Sequence, residues 1–484
     1  MQTLKKYLPF GVILVSSVFF VWFAFSSKGN WGGADSYVHY RISRYSWKYP
    51  HLFLDLWGKP VFNILSSPFS QFGFIGIKIF NVVVAILTSW VLYDITRIFR
   101  WSVGLAVIPF LLCAPIYFII IPSGLTEPLF GLIITFAVWC FFKDKFILAS
   151  IIISFLPFAR NEGFVILPIF LLAFLISRQY KSIPFLLTGF VILSAAGWKY
   201  YSDFLWIIHF KAGEGSGDIY GSGRLLHFIL SSNEIFGFPI LIFFLTGVFY
   251  SLKNLYDRSA KRKENLTFVL LILGSFSIYF AAHSYVWWKG IGGSMGLTRV
   301  MGGIVPLAAL IAARGMQGVF EEFKTKKAGF YIFELISISI VIYFPFAKFH
   351  HQLPMKTNDD EVLIERTCDW IKSNGLNERL IFFYDPLIPH YMGKDPFDNK
   401  SVIEVVSDRE HPENAIPEGS LVVWDAHFGP NEGRLPLDRL LKNNSFTLLK
   451  KVAPDRPFKT LNDYNYEIYV FERNVTSSVE EARK

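Results

Sequence analysis

Cysteine is scarce in this sequence, with three residues among 484. Cys113 and Cys140 fall inside apolar runs and Cys368 stands alone in the C-terminal part, so the sequence indicates neither a disulfide framework nor a cysteine-based metal site. Charged side chains are also scarce within a series of long apolar runs between Leu8 and Phe344. An ordinary soluble fold is therefore excluded for this part of the chain.

The apolar content is far above what a soluble core needs, with 52% hydrophobic residues, 51 Phe and a mean hydropathy of +0.39. A helix needs about 20 apolar residues to cross a bilayer. We predict a polytopic α-helical membrane protein with about eleven transmembrane helices. The predicted spans are Leu8 to Phe25, Phe80 to Tyr93, Val103 to Ile121, Leu125 to Phe142, Phe146 to Phe158, Phe164 to Ile176, Ile183 to Trp198, Ile235 to Leu252, Leu266 to Ala282, Val300 to Ala313 and Phe330 to Phe344. The fifth and sixth are short, and re-entrant segments are an alternative there.

The loops between these spans differ in their content of Lys and Arg. In one set of alternate loops Lys and Arg make up roughly a third of the residues, against about a tenth in the loops on the other side. Cytoplasmic loops are enriched in these residues, so the first set is predicted to be cytoplasmic. The enriched set holds Lys5, Lys6, Arg97, Arg100, Lys143, Lys145, Arg178, Lys181, Arg258, Lys261, Arg262, Lys263, Lys324, Lys326 and Lys327. The N-terminus is then cytoplasmic and the C-terminal part extracytoplasmic. The net charge of +9 reflects this topology and does not indicate nucleic-acid binding.

Several ionisable residues lie on the predicted outer side, in five separate connections. Charges near membrane depth are costly and usually functional, so these residues are the candidates for a site. They are Asp35, Glu127, Arg160, Glu162, His209, Lys211 and Arg299. The site is therefore expected at the outer membrane face.

Five of these candidates also have a purely structural interpretation. Asp35 would be a good N-cap for a following helix, and Glu127 would be favoured in the first turn of a helix by the helix dipole. Arg160 and Glu162 would pair with each other at the interface, and Arg299 would be an interfacial anchor. These alternatives remain open at the level of sequence.

Residues Ser36 to Tyr49 carry polar and aromatic side chains at helical spacing, which predicts an amphipathic helix on the outer leaflet. An acid in the first outer loop, such a helix, many spans and an outer C-terminal domain together resemble the GT-C superfamily of membrane glycosyltransferases. Residues 55–62, Asp-Leu-Trp-Gly-Lys-Pro-Val-Phe, resemble a Lys-Pro-Pro-Leu segment of the protein O-mannosyltransferase and aminoarabinose transferase branch. Two positions differ, because Ser36 replaces a second acid and Val61 replaces the second Pro.

The resemblance implies transfer of a sugar, hexosyl- or mannosyl-like, from a polyprenyl-phosphate donor to a hydroxyl of a glycan, lipid or protein acceptor. Such a reaction needs a carboxylate to accept a proton and cations to stabilise the leaving phosphate. We expect Asp35 to be the general base of an inverting transfer. Glu127 and Glu162 are expected to position the acceptor, orient an arginine or help hold Mg²⁺ or Mn²⁺. The expected phosphate-binding residues are Lys59, Arg160 and Arg299, with His209 and Lys211 as weaker candidates.

Two other classes of protein remain possible. A lipid-linked glycan flippase would also have many spans, but it would be expected to place charges near the bilayer midplane and often to show repeated halves. A non-catalytic assembly protein would not need acids and bases on five outer connections. A glycine-rich strand-to-helix phosphate loop is absent from the sequence, which disfavours a soluble nucleotide-sugar donor.

The C-terminal part has a different composition, and we place a domain boundary between residues 348 and 349. Helices are predicted at Glu361 to Ser373 and Leu437 to Leu441, and strands at Arg379 to Tyr384, Val402 to Val406, Ser420 to Trp424, Phe446 to Lys450 and Glu467 to Phe471. A small α/β domain follows. Asp385 and Asp425 stand at strand ends, where either ligand binding or turn chemistry would place them. A bacterial inner membrane is favoured over the endoplasmic reticulum as the location.

Overall fold

The computed structural model describes residues 2–209, 217–255, 262–323, 327–350, 352–460 and 463–475. The chain forms two compact units. The first unit comprises Met1–Gly32, Ile42–Gly217 and Gly221–Lys356, and the second comprises Gly33–Arg41, Asp218–Tyr220 and Thr357–Lys484.

The first unit is almost entirely helical. Its α-helices are Gln2–Ser26, Pro60–Ser70, Phe74–Ile98, Val107–Leu112, Pro115–Ile120, Glu127–Phe142, Phe146–Ser154, Gly163–Ile176, Thr188–Tyr201, Trp206–His209, His227–Leu230, Ser232–Ile235, Phe238–Lys253, Arg262–Phe268, Ser275–Lys289, Val305–Glu322 and Lys327–Phe349. Tighter 3-10 turns cover Pro50–Leu54, Gly104–Ala106, Leu156–Phe158, Tyr180–Leu187 and Thr298–Ile304, and Val269–Gly274 is a π-helix.

Six helical stretches in the described residues are long and apolar enough to cross a membrane. They are Tyr7–Ser26, Phe74–Ile98, Tyr180–Tyr201, Arg262–Lys289, Thr298–Glu322 and Gly329–Phe349. Shorter apolar helices are Glu127–Phe142, Phe146–Phe158, Gly163–Ile176 and Phe238–Lys253. A helix satisfies its backbone hydrogen bonds internally, as the bilayer core requires. The chain is therefore a multi-pass membrane protein, while the number of eleven spans stays a prediction.

The predicted span from Val103 to Ile121 is not one continuous helix. Two short helices, Val107–Leu112 and Pro115–Ile120, replace it. Ala114, between them, has an extended backbone with φ −63° and ψ 123°. The interruption falls there because a proline ring disfavours helical geometry in the preceding residue. Apolar composition alone did not reveal this break.

The centre of the first unit is the helix Val305–Glu322, which is buried along most of its length. It packs closely against Phe238–Lys253 because glycines face each other across the contact. A Cβ on Gly247 would lie 1.8 Å from the carbonyl oxygen of Ile311, and one on Gly315 would lie 2.1 Å from that of Phe243. Small residues allow such close helix packing in membranes.

The second unit contains a five-stranded sheet with the strand order β2-β1-β3-β5-β4. The strands are β1 (Ile381–Phe383), β2 (Val402–Glu404), β3 (Leu421–Asp425), β4 (Phe446–Val452) and β5 (Ile468–Arg473). Strand β1 is parallel to β2 and β3, and β5 is antiparallel to β3 and β4. The helices of this unit after Thr357 are Asp359–Ser373, Leu387–Met392, Pro412–Ala415 and Asp438–Leu441, and the short helix Gly217–Tyr220 falls mostly within the same unit. The predicted small α/β domain is confirmed, and each predicted strand is present within a few residues of its expected ends.

The helix Gly33–Tyr45 replaces the predicted helix Ser36 to Tyr49. Its N-cap is Gly32, so Asp35 lies inside the first turn and is not the N-cap. Within the second unit, the Tyr37 hydroxyl donates a hydrogen bond of 2.5 Å to Glu361, and Arg41 contacts both oxygens of Glu404 at 2.8 Å. This part of the helix therefore packs on the C-terminal residues, a contact that the outer-leaflet interpretation did not include.

Candidate active site

A buried cluster of charges in the first unit is centred on Arg160. One guanidinium nitrogen lies 2.7 Å from Oε1 of Glu127, and the other donates a hydrogen bond of 2.8 Å to Glu162. Thr126 accepts a third bond at 3.0 Å, and Nε2 of His283 lies 3.2 Å from Glu162 Oε1. We call Glu127, Arg160, Glu162 and His283 the Arg160 cluster. Three segments distant in sequence thus meet in one cluster, in which two carboxylates share one guanidinium.

The local folding of the chain explains how Glu127 and Arg160 reach this position. Glu127 is the first residue of an apolar helix and is followed by Pro128, which suits the first turn of a helix. A carboxylate is also favoured there by the helix dipole. Arg160 lies in a tight connection that ends at Gly163, where a Cβ would lie 2.4 Å from the backbone nitrogen of Pro157. Glycine is therefore required for this turn.

The electrostatics of the Arg160 cluster favour the ionised pair. Burial raises the pKa of Glu162, but the charge of Arg160 and the neighbouring His283 ring outweigh it and hold the pKa well below its usual range. Glu127 is 2% exposed. Its Oε2 and the Nε of Arg160 have no hydrogen-bond partner among the described residues. Buried polar atoms are normally paired, so these two atoms are candidates for contact with a bound molecule.

Lys59 lies beside this cluster. Its ammonium donates hydrogen bonds of 2.9 Å to the Leu56 carbonyl oxygen and 3.2 Å to Oδ1 of Asn161, the residue after Arg160. Burial lowers the pKa of Lys59 to about 8, partly opposed by Glu162 and aided by Arg160. The backbone of Lys59 has φ +69°, an uncommon value for a residue with a side chain. Such strained residues often occur at functional sites.

The segment around Lys59 is held by polar contacts of its own. Oδ1 of Asp55 accepts a hydrogen bond of 2.6 Å from the Gly58 backbone, and the Asn63 amide donates one of 3.0 Å to the Leu52 carbonyl oxygen. Gly58 packs so closely that a Cβ would lie 2.7 Å from Oδ1 of Asn63. These contacts explain the turn that presents Lys59.

The structure distributes the remaining predicted residues differently. Arg299 lies in the turn Thr298–Ile304 and donates a hydrogen bond of 2.9 Å to the Gly32 carbonyl oxygen. Asp35 belongs to the second unit, where its residue is partly exposed. His209 lies 2.6 Å from Asp203 at an exposed position, and Lys211 is outside the described residues. Of the predicted residues, the structure brings together Lys59, Glu127, Arg160 and Glu162.

Thr126 and His283 were missed in the sequence. Both lie next to apolar runs in which a single polar residue is unremarkable, and His283 follows directly after the predicted span Leu266 to Ala282. A lone His at the predicted outer end of an apolar helix was the available signal. In the described part of the chain, no group of three or more His, Cys, Asp and Glu side chains is arranged to hold a metal ion. The Mg²⁺ or Mn²⁺ ion stays a prediction.

These observations define a polytopic membrane protein with a small C-terminal α/β domain and a buried cluster of charges, and the comparisons with known proteins bear on its fold. No protein-family model and no curated protein matches the sequence.

Two solved structures of ArnT from Cupriavidus metallidurans share the fold. The structure bound to undecaprenyl phosphate has 11% sequence identity and a TM-score of 0.61, and 99% of each chain is covered. The apo structure has 11% identity and a TM-score of 0.63, with 98% of each chain covered. The fold predicted from the resemblance is therefore confirmed.

Proposed function

We propose that the chain is a membrane glycosyltransferase that moves a sugar from a polyprenyl-phosphate donor to an acceptor hydroxyl. The observation that carries the proposal is the Arg160 cluster, which presents a buried guanidinium with an unpartnered nitrogen. Its setting supports the same function, because the chain shares its fold with ArnT that was crystallised with undecaprenyl phosphate. A polyprenyl tail stays in the bilayer while its phosphate reacts, so a cationic group beside spanning helices suits such a donor.

Lys59, Arg160 and Arg299 are the proposed ligands of the donor phosphate. Negative charge on that phosphate grows as the bond to the sugar breaks, so fixed cations stabilise the transition state more than the ground state. Arginine offers a planar pair of donors that matches a phosphate, while Lys59 offers a compact charge. Because Glu127 and Glu162 both hold Arg160, we assign them the role of orienting its guanidinium.

Asp35 is the proposed general base. Its carboxylate would accept the proton of the acceptor hydroxyl as the acceptor oxygen forms a bond to the anomeric carbon. The bond between that carbon and the phosphate oxygen breaks, and the polyprenyl phosphate leaves with the electron pair. A single displacement of this kind inverts the configuration at the anomeric carbon. This assignment rests on the position of Asp35 shortly after the first predicted span and on the acid that GT-C glycosyltransferases, which this chain resembles, have in their first outer loop.

The proposed reaction takes place on the extracytoplasmic face, with the N-terminus in the cytoplasm and a bacterial inner membrane as the location. The acceptor is a glycan, a lipid or a protein. A divalent cation also remains part of the proposal. Outer carboxylates would be its ligands, since hard cations prefer oxygen ligands.

Reconstitution into vesicles tests the proposal. The vesicles receive undecaprenyl phosphate carrying a radiolabelled sugar, with mannose, glucose and aminoarabinose tested in turn, together with an extract of envelope glycans and lipids as acceptors. Transfer of label that disappears in Arg160→Lys supports the enzyme. Movement of the donor between leaflets without transfer would instead identify a flippase. If neither transfer nor movement is detected, the chain is a binding or assembly protein.

A further inference from the structure

The sheet of the second unit contains a switch in strand order that places two acids side by side. From β1 the chain crosses to β2 on one side and then returns to β3 on the other side of β1. In open α/β sheets, ligands bind outside the carboxyl ends of the strands at such a switch point. Asp425 is the last residue of β3, and Asp385 follows β1 by two residues. Both acids therefore lie at the edge where this architecture forms binding sites.

A cavity of about 330 Å³ opens at this edge. Its lining includes Asp360, Asp385, His427, Phe428, Thr460 and Tyr466. Tyr466 reaches the edge because it precedes β5, which runs antiparallel to β3 and pairs Ile468 with Asp425. The volume falls within the range of small-molecule pockets, about 300 to 1,000 Å³.

Two buried polar atoms of the cavity lining, the hydroxyl of Tyr466 and Oγ1 of Thr460, have no hydrogen-bond partner among the described residues. Oδ2 of Asp425, at the end of the neighbouring strand β3, has none either. Tyr466 is 4% exposed and Asp425 is 0% exposed. Leaving a buried donor or acceptor unsatisfied is costly, so these atoms indicate a hydrogen-bonding ligand.

Hydrogen bonds within turns account for one carboxylate oxygen of each of the two acids. Oδ1 of Asp385 accepts a hydrogen bond of 2.8 Å from the Leu387 backbone, and Oδ1 of Asp425 accepts one of 2.7 Å from Phe428. This is the turn role that the sequence suggested. The turn uses Oδ1 of Asp425 and leaves Oδ2 without a partner among the described residues. A turn role and a binding role are therefore compatible.

The raised pKa values of the two acids suit them to an uncharged ligand. Burial raises the pKa of Asp425 to about 6, and burial together with the Asp425 charge raises the pKa of Asp385 well above its ordinary value. A protonated carboxyl group offers both a donor and an acceptor. Acids that remain ionised would repel an anionic ligand. Lys459, on the same rim, is not free to offset that repulsion, because its ammonium already donates a hydrogen bond to the Asp463 carbonyl oxygen.

Aromatic surfaces complete the cavity. The rings of Phe458 and Tyr466 are stacked with centroids 5.1 Å apart, and both line the cavity together with Phe428. A monosaccharide has hydroxyl groups around its ring and apolar C–H faces, so it would use both the polar atoms and the aromatic surfaces. We propose that the C-terminal domain binds an uncharged glycan residue at the carboxyl ends of β1 and β3. This proposal does not depend on the donor chemistry of the first unit.

Saturation-transfer NMR on the full chain in lipid nanodiscs tests this proposal without any donor. The probes are the methyl glycosides of mannose, glucose, galactose and N-acetylglucosamine, with methyl glucuronide as the anionic comparison. We expect at least one neutral glycoside to bind, and the glucuronide to bind more weakly. Tyr466→Phe, which removes one hydroxyl, should weaken binding by about tenfold, and Asp385→Asn should also weaken it.

Tyr464→Phe is the matched control, because Tyr464 is 55% exposed on the same loop and should leave binding unchanged. Melting curves establish that every variant is folded. The proposal is overturned if no neutral glycoside binds to folded protein, if Tyr466→Phe and Asp385→Asn both bind normally, or if the cavity takes up Ca²⁺ or Mg²⁺ in place of a sugar. Repeating the titration with Arg160→Ala separates this outcome from failure of the proposed transferase, since glycan binding should persist there.

Discussion

Arg160 and Glu127 form an ion pair of 2.7 Å in which each partner retains an unpartnered atom, Nε on the arginine and Oε2 on the glutamate. The two side chains are 14% and 2% exposed. A pair buried so deeply is not simply an interfacial salt bridge of the kind that contributes little. Its removal should therefore affect both the stability of the protein and the presentation of the guanidinium.

Arg160→Ala should lower the free energy of unfolding by about 3 to 5 kcal/mol, because Glu127 is left as an uncompensated buried charge. Arg160→Ala combined with Glu127→Gln should recover part of that stability, since the amide is neutral and only the less buried Glu162 then lacks its cation. The double variant should still lack transfer activity, because the phosphate ligand is gone. Denaturation and turnover per folded molecule measure the two effects. Recovery of turnover in the double variant would contradict the phosphate assignment.

Lys59 gives a prediction for pH dependence. Its pKa is lowered to about 8, so the charged fraction falls as the pH rises through that value. If the ammonium holds the donor phosphate, affinity for undecaprenyl phosphate should decline between about pH 7 and 9, by up to roughly 10- to 100-fold. Lys59→Arg keeps its charge over this range, since the pKa of Arg is about 12 or higher, and its affinity should stay flat. Equal pH profiles in the two proteins would remove Lys59 from the site.

Asp35→Asn should reduce turnover by about 10²- to 10⁴-fold, because the amide keeps the shape of the side chain but cannot accept a proton. Donor affinity and melting temperature should change little. Asp203→Asn is the matched control, as Asp203 is another partly exposed acid on the predicted outer side, and it should retain activity. If Asp35→Asn keeps more than about a tenth of the wild-type turnover, another carboxylate is the base.

Gly58→Ala should destabilise the protein by about 1 to 3 kcal/mol, the usual cost of overpacking. The new Cβ would lie 2.7 Å from Asn63 Oδ1 and 2.9 Å from Ile42 Cγ2. Because this turn presents Lys59, donor affinity should fall as well. Gly11→Ala is the control, since a Cβ there meets nothing within 4 Å, and it should be neutral or slightly stabilising. Equal melting temperatures for the two variants would show that the turn adapts freely.

The predicted topology can be tested by cysteine labelling in intact cells. Asp455→Cys, at a side chain that is 86% exposed, should react with a membrane-impermeant maleimide without permeabilisation. Lys253→Cys, at a side chain that is 60% exposed and five positions before Arg258 in the sequence, should react only after permeabilisation. The reverse pattern would invert the orientation and place the candidate site on the cytoplasmic side.

Much of the fold was predictable because its signals are local. Long apolar runs identify spanning helices. Short apolar runs separated by turn residues identified strands β1 and β3, with ends within a residue or two of those in the structure. The break before Pro115 and the packing of Tyr37 against Glu361 were not predictable. The first depends on one dipeptide inside a uniformly apolar run, and the second joins residues more than 300 positions apart.

The candidate site was predictable as a set of residue types but not as an arrangement. Scarce charges on the predicted outer side pointed to Glu127 and Arg160, and the sequence suggested that Arg160 pairs with Glu162, but it gave no reason to expect Glu127 on the same guanidinium. His283 shows the limit most clearly, because a single His after an apolar helix has no local pattern. Its closeness to Glu162 arises only from the packing of two helices.

The unpartnered atoms of Glu127, Arg160 and Tyr466 also make occupancy and stability thermodynamically linked. A molecule that satisfies such atoms in the folded state alone stabilises it by RT ln(1 + [L]/Kd), which is about 2.7 kcal/mol at 100 times Kd. Melting temperature then reports chemical identity as well as folding. Screening lipid phosphates and glycosides for the largest upward thermal shift would identify the natural ligands before any reaction is observed, and delipidation during purification should lower the starting point of every such curve.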